Sequence, residues 1–66
     1  MSKYYIYGES ERKPIRRTKH EHDALSFAGD FKNLQRYGCM TVIRETDDGL
    51  RQRWSPEHTT WEDINE

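Results

Sequence analysis

From Asp23 to Gly38 the chain reads DALSFAGDFKNLQRYG, and the spacing of its apolar residues decides the fold. Ala24, Phe27, Ala28, Phe31 and Leu34 recur at helical intervals, while Ser26, Asp30, Lys32, Asn33 and Arg36 fall on other faces. The spacing predicts one helix. His22 or Asp23 is placed to cap its start, and Gly38 follows Tyr37 where a left-handed terminating residue is wanted. Gly29 costs a helix interior about 1 kcal/mol relative to alanine; it either permits close approach to a sheet or weakens the helix.

On both sides the period changes to that of strands. Lys3–Tyr7 (KYYIY) is aromatic and β-branched, ends at Gly8, and sets Tyr4 and Ile6 on one face against Tyr5 and Tyr7 on the other. Ile15–Glu21 (IRRTKHE) is expected to pair with it, with Pro14 at the strand entry or on a sheet edge. Beyond the helix, Cys39–Thr46 (CMTVIRET) and Leu50–Trp54 (LRQRW) flank Asp47-Asp48-Gly49, a strong hairpin signal because glycine tolerates positive φ. After Ser55-Pro56, Trp61–Ile64 (WEDI) supplies a short last strand, with the final two residues expected to fray.

These elements make a single α+β domain over residues 1–66: an antiparallel sheet of four to five strands packed on one α-helix, in the order β-β-α-β-β-β. The expected core is Leu25, Phe27, Phe31, Leu34, Val42, Ile43, Leu50, Trp54 and Trp61, with the other face of the sheet largely wet.

A chain of 66 residues buries only about 60% of its unfolded surface, which leaves a thin stability margin and little room for a deep pocket. With 32% hydrophobic and 35% charged residues the core must be lean, yet eight aromatics argue against disorder. The single cysteine, Cys39, rules out an internal disulfide and fits a reducing cytosol. No apolar leader opens the sequence and no apolar run approaches the roughly 20 residues that span a bilayer, so a cytoplasmic location is expected. An exposed sheet edge and a small core are compatible with a monomer or a weak dimer.

The formal net charge of −1 conceals a polarity along the chain. Lys3, Arg12, Lys13, Arg16, Arg17 and Lys19 outweigh Glu9 and Glu11 in the first 20 residues, residues 21–44 balance, and acids dominate the remainder. Such charge also serves solubility alone.

Candidate chemistry is sparse. His20-Glu21-His22-Asp23, with Cys39 or His58, invites a metal reading, but paired C-x2-C or H-x3-H spacing is missing. Cys39 opens an apolar strand, where a small side chain is expected to pack and not to react. Asp47-Asp48 belongs to a turn and Glu62-Asp63 to an exposed end, so neither pair has the cleft that acid–base catalysis requires. No glycine-rich phosphate loop is present. The chain is therefore expected to be neither an enzyme nor a cofactor carrier.

The informative feature is Arg12–His20 (RKPIRRTKH), close in sequence to Tyr5 and Tyr7. Arginine forks grip phosphates or carboxylates, and aromatic rings stack on bases. Tyr5, Tyr7, Arg12, Lys13, Arg16, Arg17 and Lys19, with Lys32 and Arg36 as an i, i+4 stripe on the helix, are the candidate partner-binding residues. Basic residues also protect sheet edges from aggregation. In the opposite sense, Glu45, Asp47, Asp48, Glu57, Glu62, Asp63 and Glu66 could imitate phosphates, interrupted by Arg51 and Arg53.

The element order, the segment Ala24-Leu25-Ser26-Phe27-Ala28, and Thr41-Val42-Ile43-Arg44-Glu45-Thr46 running into Asp48-Gly49-Leu50 with a tryptophan near the end resemble the small phage-borne type I-F anti-CRISPR proteins. The resemblance implies a sheet wrapped around one helix in a protein that binds an RNA-guided surveillance complex in the bacterial cytoplasm and blocks target-DNA recognition. It also implies nonspecific DNA contact through exposed lysines and arginines. It fixes no individual contact residue. The alternative from the residues themselves is a small nucleic-acid-binding protein using the basic 12–20 segment.

Overall fold

The computed structural model describes residues 2–64. In chain order the elements are β1 (Lys3–Tyr7), β2 (Arg16–Thr18), α1 (Glu21–Gly29), α2 (Phe31–Tyr37), β3 (Thr41–Glu45), β4 (Arg51–Ser55) and β5 (Thr60–Asp63). The five strands form one antiparallel sheet in the spatial order β2-β1-β3-β4-β5. The α+β class, the hairpin and the last strand match expectation. The second strand is shorter than Ile15–Glu21, because residues 19 and 20 leave the ladder and Glu21 already opens α1.

The expected single helix is two. Asp30 adopts an extended backbone (φ −71°, ψ 128°) and its carboxylate accepts the Lys32 N–H at 2.8 Å, capping a new helix. Glycine followed by aspartate is poor helix interior but a good exit and entry, so local cap chemistry overrides the continuous apolar period. The Asn33 side chain donates to the Phe27 carbonyl at 3.2 Å, satisfying one acceptor at the end of α1. The start also moves: α1 begins at Glu21 with His20 as N-cap, not at His22 or Asp23, and Glu21 and Asp23 place negative charge in its first turn. Gly38 ends α2 with φ 76°, as its position requires.

The break redistributes the core. Tyr4, Ile6, Ala24 and Val42 form the buried cluster, with Leu25, Phe27, Trp54 and Trp61 packed partly buried against it. Ile6 is completely buried, worth about 2–3 kcal/mol of apolar transfer. Ala24 is small enough to let α1 lie close to β1 and β3. Phe31 (71% exposed), Leu34 (40%) and Leu50 (47%) are not core residues. The first two turn outward with α2, and the third lies between the hairpin turn and β4.

A polar chain along the helix-facing side ties the later strands to α1. The Trp61 indole N–H donates to Glu21 at 2.8 Å, Arg44 Nε donates to Gln52 at 2.9 Å, and the Gln52 amide donates to Asp63 at 2.9 Å. Trp61 also packs against Tyr4 and Trp54, with centroid separations of 5.8 and 5.2 Å. At the hairpin, Gly49 has φ 86° and the Thr46 N–H donates to the Leu50 carbonyl at 2.9 Å.

Candidate functional site

Side chains alternate across a sheet, and the packing of Tyr4, Ile6, Val42 and Trp61 under α1 assigns the opposite face to their neighbours in each strand. On that helix-free face the register aligns Arg17, Tyr5, Ile43, Arg53 and Glu62 in one row across all five strands. A second row pairs Lys3 with Glu45 and Glu45 with Arg51, and Tyr7 pairs with Thr41 in a third. Ile43 is only 7% exposed although no helix covers it, so this face has a packed centre within a polar surround.

The fold sorts the predicted residues by layer. Tyr5, Tyr7, Arg17 and Lys19 reach the open face, where Lys3, Tyr5, Arg17 and Lys19 line one shallow depression of about 280 Å³ together with Tyr4 and Thr18. Arg16 points the other way: its guanidinium pairs with Asp23 at 3.1 Å and lies 5.0 Å from the Phe27 ring centroid. That hydrogen bond holds the Asp23 carboxyl below the usual aspartate range, with the Thr18 hydroxyl adding to the effect. Arg12 and Lys13 are exposed in the turn joining β1 to β2. Lys32 and Arg36 belong to α2 in the helix layer, Arg36 with its guanidinium 5.5 Å from the Tyr37 ring centroid. The strand and helix stripes therefore do not merge.

Lys3, Ile43, Arg51 and Arg53 lie on the same face, where no local sequence pattern places them. The signal that could have found them is strand parity: β1 fixes Tyr5 as outward, and the Asp47-Asp48-Gly49 turn carries that parity from β3 to β4. The open face thereby gathers Lys3, Arg17, Lys19, Arg51 and Arg53 against Glu45 and Glu62. Charge polarity along the chain is not charge polarity in space. The acids of the last third disperse: Glu62 stands opposite Arg53, Asp63 binds Gln52 on the helix side, and Asp47 and Asp48 occupy the turn. Glu66 and the frayed end expected there lie outside the described residues.

Cys39 is exposed before β3, and not packed as expected, because the strand starts two residues later at Thr41. With Leu25, Leu34, Met40, Trp54 and Pro56 it lines an apolar groove of about 340 Å³ in the helix layer, to which none of the basic candidate residues contributes. Among the described residues no group of three or more His, Cys, Asp or Glu side chains is arranged to hold a metal, and no helix is long and apolar enough to cross a membrane. The chain matches no protein-family model, no curated protein and no solved structure.

Proposed function

We propose that this protein is a non-catalytic binding protein that docks onto a larger protein or ribonucleoprotein complex through the open face of its sheet. The observation that carries the reading is the aligned row Arg17, Tyr5, Ile43, Arg53. Tyrosine and arginine are the residue types that dominate interface energies, and here they flank an isoleucine already screened from water. Neither Arg17 nor Arg53 has an ion-pair partner among the described residues, so both guanidinium forks are available for carboxylates or phosphates. The resemblance to type I-F anti-CRISPR proteins supports an RNA-guided surveillance complex as that partner, with target-DNA recognition blocked.

Affinity capture from a bacterial lysate containing such a complex tests the proposal. The tagged chain is expected to retain the complex stoichiometrically, and a folded Arg17→Glu, Arg53→Glu variant is expected to lose it. Recovery of no stoichiometric partner overturns the reading. A direct nucleic-acid role is the second reading, supported by Tyr5 standing beside Arg17 as a stacking platform. Gel-shift titration at two salt concentrations separates the two, since phosphate binding weakens steeply with salt.

A further inference from the structure

The depression between β1 and β2 carries more positive charge than the fold uses. Lys3, Arg17 and Lys19 all line it, Arg17 within β2 and Lys19 one residue past the end of the ladder, which closes with Tyr4 opposite Thr18. Glu45 stands on the other flank of Lys3, opposite it on β3, and among the described residues is the one carboxylate that the strand pairing places beside Lys3 or Arg17. Asp23 is committed to Arg16 on the far side of the sheet.

We propose that Lys3, Arg17, Lys19 and the Tyr5 hydroxyl form a binding site for a phosphate group carrying at least two negative charges, a terminal phosphomonoester or a pyrophosphate. Three cations offset by one carboxylate leave two positive charges over a single recess. A phosphodiester brings one charge per unit, whereas a phosphomonoester carries close to two at neutral pH and presents three acceptor oxygens. The Arg17 fork suits two of those oxygens, the lysines act as point charges, and the Tyr5 hydroxyl donates to a third. The site rests on the open face being a binding surface, and it gives that face a ligand chemistry that no large partner is needed to reveal.

The test is titration of the isolated full chain with inorganic pyrophosphate, followed by amide chemical shifts, with sodium chloride at matched ionic strength as the reference. Saturable shifts concentrated at residues 3–5 and 17–19 are expected. Arg17→Gln is expected to weaken binding about tenfold, and Gln35→Ala, at an exposed position on α2, to leave it unchanged, both variants keeping the remaining amide spectrum. A parallel arm compares an oligonucleotide bearing a 5′-phosphate with the same strand ending in a hydroxyl. Tighter binding of the phosphorylated strand assigns the ligand to a nucleic-acid end, and binding of pyrophosphate with neither strand bound assigns it to a free anion, both of which keep the site; equal binding of the two strands makes the phosphodiester backbone the ligand and overturns it. Shifts reproduced by sodium chloride, shifts spread evenly over Arg12, Lys13, Lys32 and Arg36, or unchanged binding by Arg17→Gln overturn it. Because no partner complex is present, failure here is distinct from failure of affinity capture.

Discussion

The guanidinium of Arg44 lies over the indole of Trp61, 4.6 Å from the ring centroid, while the same indole donates its N–H to Glu21 at the start of α1. Strand β5, at the edge of the sheet, is thereby fastened to β3 and to the helix layer through one side chain. Aromatic stacking, cation–π attraction and a hydrogen bond converge there.

This convergence makes Trp61 the most sensitive position outside the central cluster. Trp61→Ala is expected to destabilise the domain by about 3 kcal/mol, a large share of what so small a fold possesses. Trp61→Phe keeps a ring but loses the bond to Glu21, for about 1 kcal/mol. Urea denaturation monitored by circular dichroism reads both; an unchanged stability in Trp61→Phe would show that the bond to Glu21 contributes nothing, and equal losses in the two variants would show that the ring packing contributes nothing.

Gly38 tests a different kind of constraint. Its backbone has φ 76° and ψ −152°, a region open to glycine and costly for other residues, and an added Cβ would run into the Glu9 carboxylate. Gly38→Ala is expected to cost about 2 kcal/mol. The double change Glu9→Ala, Gly38→Ala should recover only part of that, because removing the carboxylate leaves the backbone strain in place. Full recovery in thermal denaturation would show the clash alone to matter.

The apolar period and turn chemistry made β1, the hairpin and the helical region legible in the sequence, because each depends on neighbours within a few residues. What remained hidden depends on chain geometry. Asp30 looked like a polar helix position, and only its extended backbone, with the carboxylate turned onto Lys32, reveals the break that exposes Phe31. Tyr4 and Ile6 could be assigned a common face from alternation, but that this face is the buried one follows from where α1 returns. The basic segment was visible as a run, whereas its division into inward Arg16 and outward Arg17 requires the three-residue register of β2. Arg53 belongs with Tyr5 only through two strand pairings, which no local pattern in the sequence specifies.

The pairing of Arg16 with Asp23 has a pH signature. The Asp23 carboxyl titrates below its ordinary range in the folded chain, first because Arg16 hydrogen-bonds the carboxylate and then because Thr18 does. A depressed acid of this kind adds stability above the unfolded aspartate range, and that contribution disappears as pH falls through the folded value. Both side chains are substantially exposed, so the effect is small and weakens with salt. In Arg16→Gln the Asp23 titration, followed by carboxyl carbon shifts, should move up toward the ordinary range. No movement would assign the depression to Thr18.

Adjacent arginines in β2 should respond oppositely to the same substitution. Arg16→Glu sets a carboxylate beside Asp23 and removes the cation from the Phe27 ring, so it should lower stability and leave α1 less firmly held. Arg17→Glu lies on the open face opposite Tyr5, where no acid stands across the strand pair, and should change stability within about 0.5 kcal/mol. Its effect should fall on partner binding instead, because a carboxylate there reverses the charge of the Arg17, Tyr5, Ile43, Arg53 row. Chemical denaturation and capture, measured on both variants, separate the roles. A stability loss for Arg17→Glu equal to that of Arg16→Glu, or partner binding that survives Arg17→Glu intact, would move the contact surface away from this face. Arg12→Glu combined with Lys13→Glu then becomes the informative variant, since those residues sit in the exposed turn beyond β1 and alter neither face of the sheet.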